Sequence, residues 1–262
     1  MPGTAPTNDI LSWFRVQRLL ALAQKVGETF PSISRGGSYG EQVVEILSDK
    51  QHKFADEGSY YMTRSPTVGT GLATIAAQSS FADASPFLIV TNGNPVGGKS
   101  IYLDYIKLTS TVAGTNGTNL LYATKLDNIA RWASGGWGSS NTGVAQVMLG
   151  PYPTNTAAQA QSAAQVYAGA LVAVASSSQA RTLSNGICRT AITVVNDQYL
   201  FNFAGCDMAL DGVLVSGTNI AQRSIIHAPV VIGPGASFLL HIWAASQTVA
   251  SNFELEMGHV ER

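Results

Sequence analysis

From residue 86 onward the chain is a succession of short apolar or alternating runs, rich in β-branched and aromatic residues and mostly separated by turn dipeptides. Residues 86–91, 101–109, 119–125, 145–149, 166–175, 187–196, 198–204, 212–215, 224–232, 237–244 and 252–260 all read as strands. Asn92-Gly93, Asn116-Gly117, Asn185-Gly186, Asn196-Asp197 and Gly233-Pro234-Gly235 are the turn signals between them, because Asn and Gly tolerate the left-handed backbone that tight hairpins need. A series of about eight to eleven short strands at this spacing indicates a sandwich or jelly roll. Helical patterns are too scarce for helices packed on a parallel sheet. The expected fold is therefore mainly β, an antiparallel jelly-roll/β-sandwich over residues 85–262 with an N-terminal helix and extended arm.

That arm is read from residues 1–84, whose character differs. Asn8 or Asp9 can cap a helix running to Val26, and apolar residues fall on most of its sides, so it needs cover all round. Between residues 31 and 84 there is no sustained apolar period. Gly36-Gly37-Ser38-Tyr39-Gly40 reads as a loop, and the residues after Pro66 are small and polar. Such a segment gains order by lying on something else. Residues 150–164, rich in Pro, Thr, Gln and Ala, form a long connection of the kind that meets a neighbour or a receptor.

Charge narrows the function classes. Charged residues make up 12% of the chain, about half the share in an average globular protein, which leaves a weakly repelling surface suited to packing against copies of itself. The net charge is −1 and there is no run of Lys or Arg, so the long-range attraction behind nucleic-acid binding is missing. Cys188 and Cys206 make neither a zinc site nor a disulfide scaffold; they read as buried thiols, with a single bridge left open. No apolar run reaches the roughly 18 residues of a membrane span. Residues 10–26 are interrupted by Arg15, Arg18 and Lys25 and lack the layout of a signal peptide, so synthesis in the cytoplasm is expected.

Several local patterns imitate catalytic motifs. Gly93-Asn94-Pro95-Val96-Gly97-Gly98-Lys99-Ser100 satisfies the phosphate-loop pattern, yet that loop must open a helix, and the following Ile101-Tyr102-Leu103-Asp104-Tyr105-Ile106 is rich in strand formers. A Gly-rich hairpin connection is the expected reading. Gly36-Gly37-Ser38-Tyr39-Gly40 matches a nucleophile elbow but follows no buried strand. Of His52, His227, His241 and His259, no two have helical metal-pair spacing; His227 and His241 fall in neighbouring expected strands and could meet across a sheet, but a third ligand is lacking. Glu254 and Glu256 share a strand face, as befits a solvated or intersubunit surface rather than acid/base work. Asn116-Gly117-Thr118 fits a glycosylation acceptor and reads as a hairpin turn. No catalytic residue, metal or cofactor is expected.

Three further features stand out together. The first is the Tyr-containing segment Gly58-Ser59-Tyr60-Tyr61, followed by Arg64 and Val68-Gly69-Thr70-Gly71-Leu72-Ala73. The second is the strand and hairpin Phe87-Leu88-Ile89-Val90-Thr91-Asn92 running into Gly93 to Lys99. The third is Val231-Ile232-Gly233-Pro234-Gly235-Ala236-Ser237-Phe238-Leu239-Leu240-His241-Ile242-Trp243 with a last strand Phe253-Glu254-Leu255-Glu256-Met257-Gly258. In these features the chain resembles jelly-roll virion proteins of tailed bacteriophages, the group described as capsid decoration, cement or minor structural proteins. The resemblance implies a non-enzymatic virion protein, made in the host cytoplasm, whose partners are itself, as a homotrimer, and the major capsid protein. On this reading the arm lies across the shell, and Trp13, Phe14, Leu19, Leu20, Tyr60 and Tyr61 are its contact residues, since large aromatic and aliphatic anchors dominate interfaces. The alternatives are a jelly-roll major capsid subunit, or a receptor-binding fibre or spike head domain contacting its target through residues 150–164.

Overall fold

A computed structural model of the chain describes residues 35–36, 42–43, 54–55, 58–74, 80–131, 144–145, 147–149, 162–191, 193–203 and 222–262. The chain divides into two compact units, Met1–Lys53 and Phe54–Arg262. In the first, β1 (Arg35–Gly36) pairs antiparallel with β2 (Gln42–Val43). The expected N-terminal helix, with Trp13, Phe14, Leu19 and Leu20, lies outside the described residues.

The second unit is built of strands. In chain order they are β3 (Tyr60–Arg64), β4 (Leu72–Ala73), β5 (Leu88–Asn92), β6 (Ile101–Val112), β7 (Leu120–Asp127), β8 (Val144–Ala145), β9 (Val147–Leu149) and β10 (Ala164–Ala168), followed by β11 (Arg181–Arg189), β12 (Gln198–Phe203), β13 (Gln222–His227), β14 (Val231–Ile232), β15 (Ser237–Ala244) and β16 (Asn252–Glu261). They form a six-stranded sheet, β11-β7-β15-β5-β10-β8, and an eight-stranded sheet, β13-β12-β6-β16-β3-β9, to which β14 adds on β6 and β4 on β16. Pairing is antiparallel throughout the described strands except between β12 and β13. The unit is a mainly β, two-sheet fold, as the strand series requires.

The core lies between the sheets. In β16, Phe253, Leu255 and Met257 join the core cluster while Glu254 and Glu256 alternate with them. Along β6, Ile106 and Leu108 point inward, but Leu103 does too, three residues before Ile106. That change of parity coincides with a register shift against β16 at Gly258/His259, the signature of a bulge. Edge-to-face aromatic pairs connect the two sheets: Phe203 on β12 with Phe238 on β15 at 5.5 Å, and Tyr122 on β7 with Phe201 on β12 at 5.3 Å. All of β15 is buried on both faces, as its run Ser-Phe-Leu-Leu-His-Ile-Trp-Ala suggests. Phe238, Leu240, Ile242 and Ala244 enter the core, and Leu239 packs with Ile89, Leu171 and Ala173 in a second cluster.

The expected boundary at residue 84 and the observed division differ. Tyr60–Arg64, expected in the arm, is a strand paired with β16 from Glu256↔Arg64 to Val260↔Tyr60, and it belongs to the compact unit that begins at Phe54. The reason is cross-strand burial: Tyr61 and Thr63 are buried against the end of the last strand, a partner far away in sequence. Asn185-Gly186, expected as a turn, lies inside β11, where a Cβ on Gly186 would come within 3.0 Å of the Tyr122 ring. Asn116 (φ 58°), Asn196 (φ 73°) and Gly235 (φ 76°) do adopt the left-handed backbone at their turns.

Gly258 has a packing role in the centre of the eight-stranded sheet. A Cβ there would fall 2.2 Å from Tyr60 Oη and 2.7 Å from Tyr105 Cε1, because the two tyrosine rings lie over the glycine. Their hydroxyls donate to Asp104 Oδ2 and Glu256 Oε1, each at 2.8 Å. Gly258→Val should displace both rings, disrupt these bonds and destabilise the fold by about 1–3 kcal/mol. A urea midpoint within error of the parent would contradict this role.

Candidate functional site

The hairpin between β5 and β6 is where the phosphate-loop pattern falls. Asn92 is buried and organises it: Oδ1 accepts the Asn94 N–H at 3.0 Å, and Nδ2 donates to the Lys99 and Ile232 carbonyls, both at 2.9 Å. Further backbone donors close the turn, Gly98 N–H to Pro95 O at 2.8 Å and Gly93 N–H to Ala163 O at 3.0 Å, while Ser100 N–H bonds Arg262 O at 2.6 Å. Gly97 takes φ +84° and Val96 at the tip is 99% exposed. Ser100 leads directly into β6, a strand where a phosphate loop requires the start of a helix. The motif is a turn held by an asparagine, as its strand-forming sequel indicates.

A second polar group lies within the sandwich, where β16 ends and β10 begins. His259 is 0% exposed and Glu261 is also buried. Ser162 Oγ donates to Glu261 Oε1 and sits 3.2 Å from His259 Nε2, which is 3.6 Å from the same carboxylate oxygen. The Ala164 N–H points at Ser162 Oγ (3.1 Å) and Glu261 Oε1 (3.2 Å), and the Tyr61 ring stacks on His259 with centroids 5.6 Å apart. Burial opposes ionisation of Glu261, but hydrogen bonds from His259, Ser162 and the Ala163 backbone outweigh it and hold the carboxyl below its usual range. Burial, and then the nearby Glu261 charge, push the Tyr61 hydroxyl up.

Serine, histidine and carboxylate together suggest nucleophilic catalysis, but the roles are misassigned for it. In a working triad the histidine bridges, with serine on one ring nitrogen and the acid on the other. Here Nε2 faces both Ser162 and Glu261, the serine proton goes to the carboxylate, and Nδ1 is buried without a hydrogen-bond partner among the described residues. The arrangement fastens the first residues of β10 to the last strand. Its sequence signal is weak: His259 and Glu261 share a strand face, but Ser162 is 99 residues from Glu261.

The third group covers the outer side of the six-stranded sheet. Arg131, 0% exposed, extends its guanidinium among three segments. Nε donates to Val174 O at 2.8 Å, Nη1 approaches Asp127 Oδ2 at 3.4 Å, and Nη2 bonds Asp83 Oδ2 at 2.6 Å. Lys125 Nζ pairs with the other oxygen of Asp83, and Asp127 accepts the Ser177 N–H at 3.0 Å as well as the Ser177 hydroxyl. For Asp83, burial is outweighed by the bonds and charges of Lys125 and Arg131, so its carboxyl lies below the usual range. Asp127 is lowered likewise, against burial, by Ser177 and Arg131.

The remaining sequence candidates fall into place around these groups. Tyr61 is 2% exposed, and Tyr60, half-buried, donates its hydroxyl to Asp104. His227 and His241 do not meet: they belong to different sheets, His227 stacking on Phe203 at 5.0 Å within the sandwich and His241 facing Phe81 and the Asp83 carbonyl. Glu254 accepts the Gly69 N–H at 3.0 Å, and Glu256 accepts from Tyr105 and Lys107. Cys188 is a free, buried thiol whose pKa burial raises; Cys206 lies outside the described residues, as do His52 and residues 150–161. Asn116 forms the expected turn, with Nδ2 on Thr248 Oγ1 at 3.1 Å. Among the described residues no group of three or more His, Cys, Asp or Glu is placed to hold a metal ion, and no helix is long and apolar enough to cross a membrane. No family model matches the chain, and no curated protein or solved structure matches it.

Proposed function

We propose that the chain is a non-enzymatic structural protein of a virus particle, a tailed-phage capsid decoration or cement protein whose sandwich is a jelly roll. The nesting of its strand pairs carries this reading. β3 pairs with β16, β5 with β15, β6 with β12 and β7 with β11, so that among these eight strands the first meets the last, the second the next to last, and so on inward. Wrapping one long two-stranded ribbon around itself produces that order and sends successive pairs to alternate sheets. β3-β16-β6-β12 and β5-β15-β7-β11 are distributed in this way. Jelly rolls recur among viral capsid and lectin domains.

The low charge of the chain supports the capsid side of that choice, since a weakly charged β surface is suited to burial against other subunits. The three sequence features that resemble phage virion proteins lie in β3 and β4, in the β5–β6 hairpin, and in β14 to β16. On this reading residues 1–53 are the anchoring segment, with Trp13, Phe14, Leu19 and Leu20 as its contacts to the major capsid protein, and the jelly-roll unit self-associates as a homotrimer. Cyclic assembly buries such a surface reciprocally.

Deleting residues 1–53 tests this. The remaining chain should keep the β-sheet circular dichroism and urea midpoint of the full protein but lose incorporation into particles by at least about tenfold, the effect of removing roughly 1.4 kcal/mol or more of binding. Incorporation at the full-length level would rule out an N-terminal anchor.

A further inference from the structure

The outer face of the six-stranded sheet is covered by two stretches of the same chain, residues 80–87 and 169–180. Their backbones are joined to each other and to the sheet: Ala173 N–H donates to Ala84 O, Gly169 N–H to Phe87 O and Val174 N–H to Arg131 O, all at 2.9 Å. Beneath them lie Ile89 and Leu239, packed with Leu171, Ala173 and Tyr167, and Phe81 sits against His241 (4.9 Å) and Trp243 (5.8 Å). Ionic and polar contacts add to the attachment: Asp83 is held by Lys125 and Arg131, and Asp127 accepts from Ser177.

His241 sits under this clasp, completely buried, with Nε2 donating to the Asp83 carbonyl at 3.2 Å. Neutral imidazole suits the place. A proton would add a third cation beside Lys125 and Arg131. Asp83 is the carboxylate in position to offset it, but both its oxygens are engaged, and Asp127 is occupied by Arg131 and Ser177. We infer that protonation of His241 makes the cover an acid-released strap, which lifts from the sheet while the sandwich beneath stays folded and bares an apolar strip containing Ile89, Leu239 and Trp243.

Burial first, and the Lys125 charge in addition, hold the His241 pKa down to about 4 against the opposing effect of Asp83 and the Ala123 carbonyl. In the released state the ring faces water and titrates near its ordinary value of about 6.5. The released state therefore binds more protons between these two values, and its population rises as pH falls. Linkage gives an opening equilibrium about 20-fold more favourable at pH 5 than at pH 7.

Hydrogen exchange of the full chain at pH 5 and pH 7, corrected for intrinsic rates, tests this. Protection of the Ala173 and Val174 amides should drop about 20-fold at pH 5, with the β6–β16 amides unchanged. His241→Gln, which can still donate to the Asp83 carbonyl, should abolish the difference. Equal protection at the two pH values in the parent, or a difference that persists in His241→Gln, would overturn the inference. Should that variant fold poorly, the ring titration of His241 in the parent decides: a midpoint near 4 is expected, and one near 6.5 with the strap amides still protected would be incompatible with the strap.

Discussion

Arg131→Met is expected to destabilise the protein by about 3–5 kcal/mol, the usual consequence of removing one partner from a buried, hydrogen-bonded charge cluster. The guanidinium satisfies Val174 O, Asp127 and Asp83 together. Without it the fully buried Asp127 side chain keeps Ser177 but loses its countercharge. Arg131→Lys should recover little, since a single ammonium cannot reach acceptors on three segments in the fixed geometry of a guanidinium. Denaturant unfolding measures both. The pH dependence gives a further check. Asp83 and Asp127 have lowered folded-state pKa values, so their contribution is present above the unfolded carboxylate value of about 3.9 and disappears as pH falls through the folded values. Arg131→Met should remove much of that acid-sensitive component.

Phe238→Ala should remove about 3–5 kcal/mol, because the ring is fully buried and bordered from the opposite sheet. Its value lies in what it says about layering. Phe238 on β15 meets Phe203 on β12 edge to face, with planes at 89°. A double-mutant cycle with Phe203→Leu and Phe238→Leu should give a coupling of about 0.5–1.5 kcal/mol. β12 and β15 belong to different sheets, so this coupling reports how closely the two layers are packed. Additive effects would mean that β12 and β15 do not face each other.

How far the sequence reveals such features depends on how local they are. The last two strands are legible from eight successive buried residues in β15 and the Phe-Glu-Leu-Glu-Met alternation in β16. The phosphate-loop pattern is correctly outweighed by the strand formers after Ser100, because the chemistry of that loop requires a helix there. β3 is hidden for the opposite reason. Only Tyr61 and Thr63 supply its buried positions, and the strand that makes sense of them comes at the other end of the unit. Gly186 reads as a turn from its Asn-Gly dipeptide, yet the ring of Tyr122, on the neighbouring strand, fixes it within β11. The polar groups are the least legible. Asp83 and Lys125 are 42 residues apart, Ser162 and Glu261 99, and neither pair follows a local pattern. Distant groups of that kind become neighbours only once the sheets are stacked.

Cryo-electron microscopy of virus particles from cells that make this chain bears most directly on its assignment to the capsid. Expected is two-layered β density for residues 54–262 on the outside of the shell, in threefold clusters, with the N-terminal segment continuing onto the capsid subunits. Bare shells, with the chain recovered entirely as free protein, would contradict a structural role in the particle.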